Sequence, residues 1–187
     1  MAELNRLGAA IEELAAILED SRTPFMISGG IAVLVWGEPR TTQDIDVTVS
    51  VPEDRVGEFV RLLGERLTIL PENPVEFLGE TRVLPVVTST GVGADIIRAG
   101  LPYEGQAIQR AVTRQLGNVT LHVCSPEDLI LHKLASSRPR DFEDVVGVVG
   151  RQRSLLDRSY LDPLVRGLSE TLESPEILDK YRRLMEG

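Results

Sequence analysis

The chain has 187 residues, of which 20 are basic and 29 are acidic, so its formal net charge is −9. This length allows one compact domain with a helical extension rather than two full domains. Hydrophobic residues make up 42% of the chain and charged residues 26%, which is typical of globular proteins and excludes disordered and fibrous classes. The longest apolar run, 31–36, is far shorter than the roughly 20 residues of a membrane span. We therefore expect a cytoplasmic protein with no membrane partner.

The charge is distributed unevenly along the chain. Segment 98–158 carries 9 basic and 7 acidic residues, a balance of +2, and the remainder carries 11 and 22, a balance of −11. The acidic total weighs against nonspecific binding of duplex nucleic acid. An anionic substrate is expected to approach the middle segment.

A single cysteine, Cys124, excludes an intrachain disulfide.

Residue patterns in the first half predict alternating helices and strands. Apolar residues at three- and four-residue spacing predict an amphipathic helix over 1–20. Segment 25–28 is typical of a short buried strand, and 31–36 of a short helix after a glycine pair. Alternating polar and β-branched residues predict a strand over 44–49, and a helix is expected to follow from about Pro52.

The next segments predict more strands. Residues 82–88 and 94–98 are strand-like and joined by a short linker with glycine, which predicts an antiparallel pair. Segment 68–79 has little period and is expected to be irregular, with a short helix or strand inside. Residues 103–112 predict a helix and 119–123 a further strand.

The second half is predicted to be helical. Ser125 and Pro126 supply a capping hydroxyl and a first-turn proline for a helix through Leu134. Helices are also predicted over 141–149, over 157–172 and after Ser174.

Two aspartates open the strand predicted over 44–49. Residues i and i+2 of a strand project to the same face, so Asp44 and Asp46 direct their carboxylates the same way. Two like charges this close are unfavourable alone, but a divalent cation between them favours the ionised forms, and Mg²⁺ prefers carboxylate oxygen. Asp95 supplies a third acid from a strand that we expect to be adjacent and antiparallel. Three convergent carboxylates suit a two-metal phosphoryl-transfer site.

A glycine pair precedes these acids. Ser28, Gly29 and Gly30 stand at the end of the first predicted strand, and thirteen residues separate Gly30 from Asp44. Because glycine has no Cβ, the backbone turns sharply there and brings N–H groups against a phosphate at a helix start. Gly-Gly pairs are common in plain turns, and Asp-x-Asp patterns are common on solvated strands. Neither pattern alone therefore distinguishes a nucleotide site from an ordinary turn or strand.

The order and spacing of the glycine pair, Asp44, Asp46 and Asp95 give the segment from Phe25 to about Arg98 a resemblance to a known group. It resembles the DNA polymerase beta-like nucleotidyltransferase superfamily. There a Gly-Gly or Gly-Ser pair precedes a hydrophobic-flanked Asp-x-Asp, and a third acid follows on a later strand. Here the second position of the pair is Gly30, where many members carry serine. The resemblance implies a Mg²⁺-dependent enzyme that binds a nucleoside triphosphate such as ATP.

The helical second half is similar to the AbiEii-type toxin nucleotidyltransferases of toxin-antitoxin systems. The resemblance is carried by segment 125–129, Lys133 and segment 140–145. It implies a cognate antitoxin as a partner and places Lys133 and Asp141 at the nucleotide. An ammonium at Lys133 is suited to neutralising a triphosphate. The alternative is that Asp141 and Asp144 cap the helix and pair with Arg138 or Arg140.

The resulting prediction is an α+β protein. A small mixed β-sheet in a nucleotidyltransferase core, 1–123, is flanked by helices, and a helical C-terminal portion, 124–187, packs on the core. Asp44, Asp46 and Asp95 are the expected catalytic and metal-binding residues. The expected nucleotide-binding residues are Ser28, Gly29, Gly30, Lys133 and Asp141.

These motifs do not identify the molecule that accepts the nucleotide. The resemblance favours transfer RNA or another RNA, or a partner protein. One alternative is a small molecule, as in the aminoglycoside-modifying relatives. Another is a noncatalytic nucleotide-binding module, against which the presence of all three acids argues.

Overall fold

A computed structural model of the chain describes residues 2–42, 44–101 and 103–186. They form two compact units. The first unit contains the residues up to Ile31 together with Thr41–Cys124, and the second contains Ala32–Arg40 together with the residues from Ser125 onward. Within the described residues, no helix is both long enough and apolar enough to cross a membrane.

The first unit is built on a mixed β-sheet. The strands in the described part of the chain are β1 (Phe25–Ile27), β2 (Ile45–Val49), β3 (Thr68–Ile69), β4 (Val83–Val87), β5 (Gly93–Arg98), β6 (Val112–Leu116) and β7 (Val119–Val123). Their spatial order is β3-β4-β5-β2-β1-β7-β6. The pairs β1–β7 and β2–β5 are parallel, and the other neighbours are antiparallel. The predicted α+β class with a mixed sheet is confirmed.

Helices cover this sheet within the first unit. They are α1 (Ala2–Asp20), the start of α2 (Gly29–Trp36), α3 (Val56–Gly64), α4 (Pro74–Thr81) and α5 (Glu104–Arg110). The helix α1 packs closely on β7, since a Cβ added at Gly8 would lie 2.6 Å from Val119 Cγ2. It ends where Arg22 takes a φ of 53°, and Thr23 N–H donates to the Leu18 carbonyl at 2.9 Å. This is a left-handed helix C-cap.

The second unit is helical. It contains the rest of α2 and the helices α6 (Pro126–Leu134), α7 (Pro139–Gln152), α8 (Arg158–Thr171) and α9 (Pro175–Glu186). The Ser125 hydroxyl accepts a hydrogen bond from Asp128 N–H at 3.1 Å, so the predicted cap of α6 is confirmed. The core of this unit is aliphatic, and it includes the fully buried residues Leu129, Val145, Leu161 and Val165.

Two predictions about the strands were wrong. The strand β5 is antiparallel to β4, as expected, but it runs parallel to β2, not antiparallel. The chain between them passes through α3, β3, α4 and β4, which is long enough for the crossover that parallel neighbours need. The helix predicted over 103–112 ends at Arg110, and Val112 begins β6. This edge strand is mostly exposed, so it lacks the apolar alternation that identifies half-buried strands.

Candidate active site

Asp46 and Asp95 lie side by side on two central strands. They are direct partners in the parallel register of β2 and β5, and adjacent strands lie about 4.8 Å apart. Side chains in register on neighbouring strands project to the same face of a sheet. Both residues are half-buried, between neighbours that are fully buried. The sheet therefore brings these two predicted residues together.

Asp44 lies just before β2 and is exposed. Its Oδ1 would be 3.1 Å from a Cβ added at Gly93, two residues before Asp95. The Asp44 side chain thus lies against the beginning of β5, next to the strand that carries the third acid. The three predicted acids thus lie at neighbouring positions, with Asp46 on β2, Asp95 on β5 and Asp44 just before β2.

The three carboxylates interact electrostatically. The pKa of Asp95 is raised above its ordinary value by burial, and then by the negative charges of Asp46 and Asp44. Ionising Asp95 therefore costs more than ionising an isolated carboxyl group. A cation placed among the acids would favour their ionised forms and offset the repulsion.

The turn after β1 presses against Asp46. Gly29 has a φ of +56°, and a Cβ there would lie 1.8 Å from Asp46 Oδ2. Only glycine fits this close approach in a left-handed conformation. The N–H of Gly30 faces the same oxygen at 3.4 Å. The predicted glycine pair is thus in contact with one of the predicted metal ligands.

Ser28 is buried beneath this turn. Its N–H donates to the Asp46 carbonyl at 2.9 Å, and its hydroxyl lies 3.4 Å from that of Thr48. The structure therefore places the Ser28 side chain towards the core of the sheet.

The carboxylate oxygens of the three acids are the kind of ligand that a hard divalent cation prefers, and two of the acids lie on adjacent strands. As the side chains lie, no three His, Cys, Asp or Glu residues in 2–42, 44–101 and 103–186 form a metal-binding group. Asp46 Oδ2 is turned towards Gly29 and Gly30. Coordination of a shared ion therefore requires the carboxylates to reorient.

Lys133 and Asp141 meet in the second unit, in a charge cluster that also contains Arg40, Arg138 and Asp144. Lys133 Nζ lies 2.5 Å from Asp141 Oδ1 and 2.9 Å from Asp144 Oδ2. All three side chains are less than a tenth exposed. Buried charges need such partners because isolated ones are costly. The ammonium of Lys133 is thus held by two carboxylates.

Two arginines complete the charge cluster. Arg40 Nε and Nη2 donate to Asp144 at 2.8 and 3.0 Å, and Arg138 Nε donates to Asp141 at 2.7 Å. Burial raises the pKa of both aspartates, but hydrogen bonds and charges from the basic side chains outweigh it, so both pKa values lie below the ordinary range. Both acids therefore stay ionised.

The alternative pairing considered for the second half is confirmed for Asp141 with Arg138 and wrong for Asp144, whose partners are Lys133 and Arg40. Sequence patterns identify helical partners three or four residues apart. Arg40 is 104 residues from Asp144, so no local spacing indicates this pair.

The charge cluster borders a cavity of about 740 Å³ in the second unit. Lys133 and Arg138 line it together with Phe142, Lys180 and the hydroxyl residues Ser136, Ser137 and Ser174. Lys180 Nζ lies 5.7 Å from the centre of the Phe142 ring, which is within the range of a cation–π contact. The cavity therefore offers basic, hydroxyl and aromatic groups, and its volume is in the range of small-molecule sites.

Comparisons with solved structures show the same fold in nucleotidyltransferase-like proteins. The chain is similar to an antigenic nucleotidyltransferase-like protein from Paracoccidioides brasiliensis, with 14% identity, a TM-score of 0.53, and coverage of 94% of this chain and 93% of that one. It is also similar to the antibiotic-resistance factor ANT(2'')-Ia, with 18% identity, a TM-score of 0.53, and coverage of 95% and 96%. No curated protein matches the sequence significantly.

A family model covers nearly the whole chain. The model described as "Nucleotidyltransferase of unknown function (DUF6036)" matches residues 2–174. The match spans both the strands that carry the three acids and the helices that carry the charge cluster. The chain is a nucleotidyltransferase and belongs to the DUF6036 family.

Proposed function

We propose that this protein moves a nucleoside monophosphate from a nucleoside triphosphate, such as ATP, to an acceptor hydroxyl, with release of pyrophosphate. The observation that carries the proposal is the in-register pair Asp46 and Asp95, with Asp44 beside it and the Gly29–Gly30 turn against Asp46. This arrangement unites a set of hard oxygen ligands with a turn suited to phosphate.

The three acids have distinct roles in this proposal. Asp44 and Asp46 would hold two Mg²⁺ ions, and Asp95 would help to hold one of them and assist deprotonation of the acceptor hydroxyl. Bound Mg²⁺ would supply stabilisation of the charge that develops on the attacking and leaving oxygens.

Nucleotide binding is assigned to groups in each unit. In the first unit, Gly29 and Gly30 bind the phosphates. Ser28 stabilises their turn through its contacts with Asp46 and Thr48. In the second unit, Lys133 neutralises triphosphate charge and Asp141 orients its ammonium. For Lys133 to bind phosphate, the triphosphate must compete with Asp141 and Asp144 for the ammonium.

We propose RNA, transfer RNA among the candidates, as the acceptor, and the toxin of a toxin-antitoxin pair as the biological role. The proposal rests on the AbiEii-type resemblance of segments 125–129 and 140–145 and on the +2 balance of 98–158. Arg138 keeps 79% of its side chain exposed, and Arg140 is also exposed, so both are accessible to phosphate. A cognate antitoxin would then be a second protein partner.

A small-molecule acceptor is the second candidate. It is favoured by the fold shared with the antibiotic-resistance factor ANT(2'')-Ia over 95% of this chain. Fold does not by itself define the acceptor, so the two candidates need a direct comparison.

Incubation with each of the four nucleoside triphosphates labelled at the α-phosphate separates these acceptors. The reactions contain Mg²⁺ and one pool each of RNA, protein or metabolites. Label in the RNA pool is expected. Label only in metabolites, or only in protein, would replace RNA as the acceptor, and no label in any pool would contradict nucleotidyl transfer to these classes.

A further inference from the structure

Thr42 packs against the glycine turn that follows β1. A Cβ added at Gly30 would lie 2.3 Å from Thr42 Oγ1 and 2.9 Å from Thr42 Cβ. The Thr42 hydroxyl therefore occupies the space that a side chain at position 30 would need. Thr42 is half-buried, and both residues belong to the first unit. The contact between this hydroxyl and the turn is thus made inside one compact unit.

The backbone of Gly30 carries a second donor at the same place. Its N–H faces Asp46 Oδ2 at 3.4 Å, which is longer than an ordinary N–H···O hydrogen bond. When the Asp46 carboxylate turns towards a metal ion, this N–H is released. Gly30 then brings together its own N–H and the hydroxyl of Thr42. Two donors at the start of a helix suit an anionic oxygen.

The present partner of the Thr42 hydroxyl is easily exchanged. The hydroxyl donates to the Asp44 carbonyl at 3.3 Å, which is long for an O–H···O hydrogen bond. This bond is exposed, so water can satisfy the carbonyl after the hydroxyl turns away. A bond from the hydroxyl to an ionised phosphate oxygen would be roughly twice as strong as one to a neutral carbonyl. The exchange therefore favours the phosphate.

The surrounding segments supply no positively charged side chain. Segments 28–31 and 41–49 contain no lysine, arginine or histidine. The hydroxyl of Ser28, in the turn itself, is buried and faces that of Thr48 at 3.4 Å. A phosphate at this turn must therefore be bound by N–H groups and by a hydroxyl from outside the turn, and Thr42 supplies one in contact with it.

We propose that the Thr42 hydroxyl is a phosphate-binding group, which donates a hydrogen bond to the triphosphate beside the N–H of Gly30. The inference rests on the proposed function, in which the turn at Gly29 and Gly30 binds the phosphates. It adds to that site a neutral donor from the segment before β2.

The test compares the wild type with Thr42→Val, which keeps the shape of the side chain but not the hydroxyl, and Thr42→Ser, which keeps the hydroxyl. Binding of ATP and of inorganic tripolyphosphate is measured by calorimetry at saturating Mg²⁺. Thr42→Val should weaken the binding of both about 10-fold, as expected for the loss of a hydrogen bond to a charged group. Thr42→Ser should bind both like the wild type.

Thr68→Val is the matched control. Thr68 is exposed on β3 at the edge of the sheet, so the same substitution is made in the same unit, and ATP binding should not change. Mn²⁺ binding to the protein alone, measured by electron paramagnetic resonance, should be equal in Thr42→Val and the wild type, because Thr42 is assigned to phosphate and not to metal. Should Thr42→Val not fold, Thr42→Ala carries the same comparison.

The outcomes separate this inference from the proposed function. Wild-type binding of ATP by Thr42→Val, or equal losses in Thr42→Val and Thr42→Ser, would overturn the inference alone. So would weaker Mn²⁺ binding by Thr42→Val, because Thr42 would then act by shaping the acidic site. Absence of ATP binding by the wild type would instead overturn the nucleotide site of the proposed function, and the inference with it.

Discussion

At the scale of single residues, the aspartates of β2 and β5 repel one another. The pKa of Asp95 is raised by burial and then by Asp46 and Asp44. The in-register placement of Asp46 and Asp95 makes this repulsion a property of the sheet itself. Repulsion of this kind destabilises the fold unless a cation compensates it.

Replacing Asp44 or Asp46 by asparagine should therefore abolish transfer without unfolding the protein. In the absence of metal, each variant is expected to melt at or above the wild-type temperature, because one negative charge is removed. With Mg²⁺ about tenfold above its dissociation constant, the wild type should melt about 3 °C higher or more, and the variants should not respond. If millimolar Mg²⁺ does not raise the melting temperature of the wild type, the two-metal assignment is wrong.

Lys133 is the residue whose substitution should distinguish nucleotides. Lys133 is one of the residues that line the 740 Å³ cavity, and an ammonium near outer phosphates interacts with charge that a monophosphate lacks. Lys133→Ala should therefore weaken triphosphate binding more than monophosphate binding in calorimetric titrations. Lys133→Arg should restore only part of the loss, and its melting curve controls for folding. Equal losses for both nucleotides would assign Lys133 a purely structural role.

At the scale of elements, the charge cluster ties α6 to α7. Lys133 on α6 contacts Asp141 and Asp144 on α7, and Arg40 joins from the segment after α2. The lowered pKa of Asp144 means that its carboxylate is stabilised in the folded state. The unfolded chain takes up this proton first on acidification, so the contribution is present above the ordinary aspartate pKa of about 3.9 and is lost below it.

Asp144→Asn should lower the free energy of unfolding by roughly 2 kcal/mol at pH 7, since charge-assisted hydrogen bonds are lost. The difference from the wild type should shrink as the pH falls from 5 to 3. Melting curves across that range measure it, with the exposed Asp20→Asn as a control that should change little at any pH. A difference that stays constant with pH would contradict the ionised pair.

The elements that the sequence predicts well are those with a local signal. The cap at Ser125 and the apolar alternation of 44–49 both lie within a few residues, and the structure contains α6 and β2 there. The direction of β5 against β2 depends on a long connection, and no short pattern encodes it. The exposed strand β6 was missed, although Gly117, with a φ of 63°, and Asn118 form the kind of turn that indicates a hairpin.

In the candidate site, too, the residues that belong to local sequence patterns could be predicted, and the pairs formed over long sequence distances could not. The spacing of the glycine pair and the Asp-x-Asp pattern leads to the prediction that these residues belong to one site. In the structure, the turn at Gly29 lies against Asp46.

The sequence predicts only part of the charge cluster. The resemblance indicates Lys133 and Asp141 as nucleotide-binding residues, and Asp144 enters only as a helix cap and ion-pair partner. The Arg40–Asp144 bond joins residues 104 positions apart. Only the tertiary fold reveals such a pair.

At the scale of the whole molecule, the uneven charge limits how RNA can bind. If RNA is the acceptor, the arginines of 98–158 should contact its phosphates, with Arg110, Arg114, Arg138 and Arg140 as the first candidates. Each lost contact should reduce the magnitude of the slope of log affinity against log salt by about 0.7 to 0.9. Because the rest of the chain carries −11, contacts must be few, and an overall slope of only about 2 to 4 in magnitude is expected.

The quadruple Arg→Gln variant tests this at about 50 to 200 mM salt, a range that exposes counterion release. It should bind RNA more weakly and with a flatter salt dependence than the wild type. Equal rates of acceptor modification by the variant and the wild type over this range would contradict the RNA acceptor and favour a small molecule or a protein.

The most direct test of nucleotidyl transfer at the three acids is a comparison of ATP labelled at the α-phosphate with ATP labelled at the γ-phosphate. Each is incubated with Mg²⁺, the pooled acceptors, and either the wild type or Asp46→Asn. The wild type should place the α-label on the acceptor and release the γ-label as pyrophosphate, and Asp46→Asn should do neither. Transfer of the γ-label to the acceptor, or undiminished α-label transfer by Asp46→Asn, would contradict the account.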